Sequence, residues 1–164
     1  MKKVLLLIVA IVSVLQASAQ DSHSVTIPID SLTLRLDKLQ HDYDYMYCDF
    51  ELHKLMSDFT VLSHSIDNSS NGVLINVYHS RYNRALYNAY LDNYNADCEN
   101  FDSLKEKVEA VKGAVLVKIA VSDFSDLELN VISISFDVIE RSITKVERAL
   151  DYYKTCIDAY RSKI

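Results

Sequence analysis

Helix and turn breakers are scarce in this chain. Its 164 residues hold two glycines and one proline, and no tryptophan. Sandwiches and barrels need many tight turns, which rely on glycine and proline. A chain with Pro28, Gly72 and Gly113 as its whole supply must be built from a few long elements, and that favours helices. Cysteine is short as well, with Cys48, Cys98 and Cys156. Three thiols make no disulfide scaffold, and an odd count leaves at least one unpaired or joined to another chain. Glycine-rich phosphate loops are excluded by the same poverty, and the P-loop, H-E-x-x-H, C-x-x-C and E-x-x-H patterns are all missing. Without a nucleophile–base or metal set, the chain is expected not to be an enzyme and to need no cofactor.

What is present begins with an address. Met1-Lys2-Lys3 is basic, Val4 to Leu15 is apolar apart from Ser13, and Ala17-Ser18-Ala19 puts small residues before Gln20. This is the order of a secretory signal peptide, and the apolar run is too short for a membrane span. Residues 1–19 are read as that signal, 20–29 as an extended segment, and 30–164 as one helical domain. The protein is then exported, to the periplasm or the exterior, and its mature part has no membrane span. Without Lys2 and Lys3 the remainder carries 15 basic and 23 acidic residues, a net charge of −8. Such a surface repels phosphate backbones, so nucleic acid is not expected as a partner.

Hydrophobic periodicity supplies the elements. Asp30 suits a helix N-cap, with Ile29 and Leu34 spaced as a hydrophobic staple. Leu32, Leu36, Leu39, Tyr43, Met46 and Phe50 then recur at heptad-like spacing. A second stripe of Cys48, Leu52, Leu55, Phe59, Leu62 and Ile66 lies nearly opposite at 100° per residue. Either the helix bends near Glu51 or its halves pack against different neighbours. Asp67-Asn68-Ser69-Ser70-Asn71-Gly72 reads as the clearest turn. Beyond it, Ile75, Tyr82, Leu86 and Ala89, then Leu104, Val108, Val111 and Val115, stay in phase across one helix of about 50 residues. Asn93, Asp97 and Asn100 interrupt that line and offer a break. Ser122 to Ser125 is the next junction, with Ser125 and Glu128 at capping-box spacing. The last helix carries Ile132, Phe136, Ile139, Ile143, Val146, Leu150, Tyr153 and Ile157. Alternation through Val115–Val121 and Leu127–Val131 also permits a β-hairpin there. The expected fold is all-α, an antiparallel bundle of three long helices, with four helices if the middle one breaks near residues 93–100.

Candidate sites are few. Asp37, His41 and Asp44 share a helical face and could hold a cation, but they read more simply as a solvated polar face. His64 and His79 flank the expected first turn. Glu140 and Glu147 sit among Arg141, Lys145 and Arg148 as a salt-bridged surface. Tyrosine is abundant, with 11 copies. Tyr87, Tyr90 and Tyr94, extended by Cys98 and Phe101, form a stripe that is either an interaction surface or a second packing seam. If any disulfide forms, counting residues from turns centred near Ser69 and Ser122–Phe124 pairs Cys48 with Cys156.

The start M-K-K…A-S-A-Q-D and the tyrosine-rich stretch N-Y-N-A-D-C-E-N-F-D-S-L-K-E-K-V-E resemble small exported helical proteins of Bacteroidetes-type bacteria. That resemblance implies export and a helical fold, and it carries over no functional residue. Two function classes follow. One is a non-catalytic helical interaction or structural module that meets an unknown protein partner or associates with itself. The other is a bundle that holds a small ligand or metal between helices.

Overall fold

The computed structural model of the protein describes residues 29–164, so the signal peptide and most of the segment 20–29 lie outside the described residues. Three helices follow in order: α1 (Ile29–Tyr78), α2 (Arg84–Val121) and α3 (Asp126–Arg161). Among the described residues there is no strand, and the hairpin alternative is not formed. The chain divides into two compact units, 1–38 and 39–164. In the first unit, the described residues are the opening turns of α1, with Leu32, Leu34 and Leu36 exposed. The second unit is the three-helix bundle.

Each helix of the bundle turns one heptad seam inward. On α1 the buried line is Cys48, Leu52, Leu55, Phe59, Leu62, Ile66 and Val73. On α2 Phe101, Leu104, Val108 and Val115 are buried, and Tyr87, Tyr90, Tyr94 and Val111 pack on the same core. These positions alternate by three and four residues, and the one that completes the sequence between Tyr94 and Phe101 is Asp97, which is also buried. The two stripes read from the sequence are therefore one coiled-coil seam with a carboxylate in it. That seam holds α2 continuous through Asn93, Asp97 and Asn100, so the four-helix variant does not occur. On α3 Ile132, Ile139, Val146, Leu150, Tyr153 and Ile157 are buried as their spacing requires, together with Tyr160.

The first turn is not where the sequence placed it. Asp67 to Gly72 is helical, and α1 continues to Tyr78. Helix propensity disfavours asparagine, serine and glycine by less than about 1 kcal/mol each. Burying Val73 and packing Leu74 and Val77 on the core outweighs that. Serine also fits the seam directly, since Ser63 and Ser70 lie buried on the inner side. The helix ends instead in a Schellman motif: Arg81 N–H donates to Asn76 C=O at 2.9 Å and Ser80 N–H to Val77 C=O at 3.1 Å. Ser80 takes the left-handed position, φ 51°, that glycine usually fills. α2 accordingly starts at Arg84, not Val73, capped by Asn83, whose side chain accepts from Ala85 N–H at 2.7 Å. Ile75, Leu86 and Ala89 drop out of the expected core stripe and face solvent.

The second junction matches its expectation. Ser125 N–H donates to the Glu128 carboxylate at 2.8 Å, and Glu128 N–H points back at the Ser125 hydroxyl, a reciprocal capping box.

Candidate functional site: an uncovered helix face and its polar flank

Among the described residues, no helix covers the first expected stripe of α1. Within the bundle unit, Leu39, Tyr43, Met46 and Phe50 are 63–69 % exposed, although they keep coiled-coil spacing. The sequence offered a bend or two neighbours as explanations. α1 buries its other face, and this one looks outward.

A polar cluster ties the inner side of the same turns to the other helices. Asp44 is buried on α1. Lys118 of α2 donates to its Oδ1, and the Ser122 hydroxyl donates to its Oδ2 at 2.7 Å. Burial alone would raise the Asp44 carboxyl, but hydrogen bonds from Lys118, Gln40 and Ser122 hold it below the ordinary carboxylate value. The Lys118 ammonium is raised in turn, chiefly by its bond to Asp44. Its Nζ also lies 5.6 Å from the Tyr43 ring centre and 5.7 Å from that of Tyr47, a cation over two aromatic faces. On the α3 side, His41 Nε2 is 3.3 Å from Glu128, and the His41 and Tyr45 rings meet Phe124 edge-on. Hydrogen bonds to Asp42 lead the causes that raise His41 above its usual value.

The tyrosine stripe lies within the bundle. Tyr94 meets Tyr153 with ring centres 5.7 Å apart, Tyr90 meets Tyr160 at 5.5 Å, and Phe101 meets Phe59 at 6.4 Å. Burial leads the causes that push the Tyr94 hydroxyl up to about 12. Tyr87 is partly buried against the same core. Polar tips find partners, as Tyr153 donates to Tyr90 C=O at 3.2 Å and Asn76 bonds the Tyr90 hydroxyl.

All three cysteines are free. Cys48 and Cys156 do not sit at one height, because moving the first turn from near Ser69 to His79–Asn83 shifts α1 along the bundle. Recounting from the observed turns separates them by about 23 residues of rise, roughly 35 Å at 1.5 Å per residue, far beyond disulfide reach.

The candidate cation trio does not assemble, since Asp44 turns inward to Lys118. His64 and His79 lie near and beyond the C-terminal part of α1, about 22 Å apart by helical rise, instead of meeting across a turn. Glu140 and Glu147 are exposed on α3. No group of three potential metal ligands forms among the described residues. Compared with family models, with curated proteins and with solved structures, the chain matches none.

Two buried carboxylates escaped the sequence reading. Asp44 stands four residues before Cys48, in line with the inner stripe, and Asp97 fills a heptad position. Their spacing was the available signal; polarity made Asp44 look like an outer residue and Asp97 like a break in the helix.

Proposed function

We propose that the protein is an exported, non-catalytic helical interaction module that pairs with a second copy of itself along the outward face of α1. The observation that carries this reading is the exposed run Leu39, Tyr43, Met46 and Phe50. Scattered apolar residues need no explanation, but a heptad seam on a preformed helix is complementary to another helix. With Tyr43 and Phe50 at a positions, Asp49 falls at g and Lys54 at e. A parallel, in-register pair then sets Asp49 of each copy against Lys54 of the other. The antiparallel pairing that joins Tyr43 to Met46 sets Asp42 against Asp49, two like charges. Asp49 already lies 3.1 Å from His53 of its own helix, yet it stays half-exposed and can reach across. A face of this size belongs to the small, transient end of protein interfaces. Export rests on the basic, apolar, small-residue order of Met1 to Ala19.

Sedimentation velocity on the mature chain, Gln20 to Ile164, over a range of concentrations tests the pairing. A concentration-dependent dimer is expected. Tyr43→Glu or Met46→Glu should leave a monomer with nearly unchanged melting temperature, because the face is exposed. Lys54→Glu should weaken the dimer, and adding Asp49→Lys should restore it. A wild-type chain that stays monomeric throughout, or a Tyr43→Glu chain that still dimerises, sinks the proposal. Intact mass of the native protein tests export separately, and a species retaining Met1 to Ala19 counts against it.

A further inference from the structure

A cleft of about 350 Å³ opens between α1 and α2, midway along the bundle and away from the outward face. Asp97 lines it from the α2 seam and Ser65 from α1, at one end. Leu62 and Leu104 provide apolar wall, and Asp58 and Lys107 stand toward the other end. Asp97 is only 7 % exposed. One of its oxygens, Oδ1, accepts a long bond from the Ser65 hydroxyl at 3.4 Å. The other, Oδ2, has no hydrogen-bond partner among the described residues.

That arrangement is costly for a structural role alone. A coiled-coil seam tolerates a polar residue when a partner across the interface satisfies it. An unsatisfied buried carboxylate instead forfeits its hydration with little in return. Burial pushes the Asp97 carboxyl up, and Ser65 pulls it back only in part. By contrast, Asp44, the other carboxylate on a helix seam here, has Lys118 and Ser122 on its two oxygens. Asp97 Oδ2 therefore lacks a donor among the described residues, and the donor that best compensates a buried carboxylate is cationic. The apolar wall beside it suits a hydrocarbon stem.

We propose that this cleft binds a primary alkylammonium group, with the ammonium on Asp97 and Ser65 and the aliphatic stem along Leu62 and Leu104. Asp58 and Lys107 stand together at the far end and offset each other, so recognition rests on the one ammonium and its stem. The site is independent of the pairing face on α1.

Calorimetric titration of the mature chain with hexylammonium, 6-aminohexanoate, cadaverine and 1-hexanol tests this. Saturable binding of hexylammonium is expected, and 6-aminohexanoate and cadaverine, which share its ammonium and stem, should bind as well. Hexanol, which has the stem without the charge, should bind about tenfold more weakly or not at all. Asp97→Asn should lose about tenfold or more in hexylammonium affinity while melting no lower than the wild type. No saturable heat with any amine, or hexanol binding as well as hexylammonium, overturns the proposal with the wild-type protein alone. Unchanged amine affinity in Asp97→Asn overturns it as well. None of these results depends on whether the protein dimerises.

Discussion

Tyr160 sets the position of the first turn. Its buried hydroxyl donates to Arg81 C=O at 2.7 Å and accepts from Asn83 N–H at 2.8 Å, closing two backbone groups of the α1–α2 loop from the far end of α3. Tyr160→Phe keeps the ring and removes both bonds. It should cost about 1–2 kcal/mol, read as a lower melting temperature with unchanged helicity. Lys118 and Asp44 form an asymmetric pair, since the lysine side chain is 27 % exposed and the aspartate side chain 1 %. Lys118→Met leaves a buried carboxylate without its counter-ion and should cost about 3 kcal/mol near neutral pH. Asp44→Ala should cost less, because a lysine arm can swing to water. The pH dependence follows from the sign. The Asp44 carboxyl is depressed in the fold, so its contribution is present above its ordinary value near 3.8 and is lost as pH falls through the depressed one. Lys118→Met removes the largest of the lowering bonds while burial still raises the carboxyl, so the deficit against wild type should shrink in acid. Urea melts at neutral pH and below pH of about 4 measure it.

At the scale of elements, both glycines lie inside helices. A Cβ at Gly72 or at Gly113 would meet nothing within 4 Å. Gly72→Ala and Gly113→Ala should each stabilise by about 0.5–1 kcal/mol, through higher helix propensity and a less free unfolded chain. The two sites lie on different helices with no shared partner, so the double variant should show the sum. Thermal melts of the three variants check this. A loss at Gly72→Ala would mean that the Asp67–Gly72 segment is not helical in solution. The α1 end needs no glycine because Ser80 adopts the left-handed position while the Schellman bonds hold the chain around it. Gly72, one of the two glycines the chain has, is therefore not a helix end.

Across the whole molecule, the register of the helices decides which groups meet. With the first turn at His79–Asn83, Cys156 lies near the Tyr90–Tyr94 level of α2 and Cys48 near Lys118. Burial raises both thiols above their ordinary value. In the native protein a thiol reagent should modify Cys98, which is only partly buried, first, with Cys48 and Cys156 following at the rate of unfolding. Peptide mapping of the time course measures the order, and recovery of a Cys48–Cys156 disulfide would contradict the register. Exposed apolar residues stand at both ends of the bundle, Ile75, Tyr78, Leu86, Leu91 and Tyr152 toward the α1–α2 loop and others toward the α2–α3 loop. Leu116, Val117 and Val121 of α2 and Leu127 and Ile134 of α3 stand at the heights of Leu39 to Phe50 on α1.

Helix content, the α3 seam from Ile132 to Ile157, the Ser125–Glu128 capping box and the three-helix count were all set locally. They were legible because a 3.6-residue period and a short capping motif are properties of neighbouring residues. The Leu32–Phe50 stripe was equally visible, but periodicity states only that a face is apolar, not that anything covers it. Which of the two α1 faces turns inward depended on what α2 and α3 present to it. The turn at Asp67–Gly72 was misplaced because local propensities near 1 kcal/mol per residue were outweighed by burial of Val73 and by the Tyr160 hydroxyl, 77 and 79 residues away along the chain from its loop partners. Asp44 was read as an outer residue and Asp97 as an interruption of the α2 line, because polarity alone does not reveal burial. Only the packed helices showed that Asp44 has Lys118 and Ser122 for partners, and that one oxygen of Asp97 is left without one.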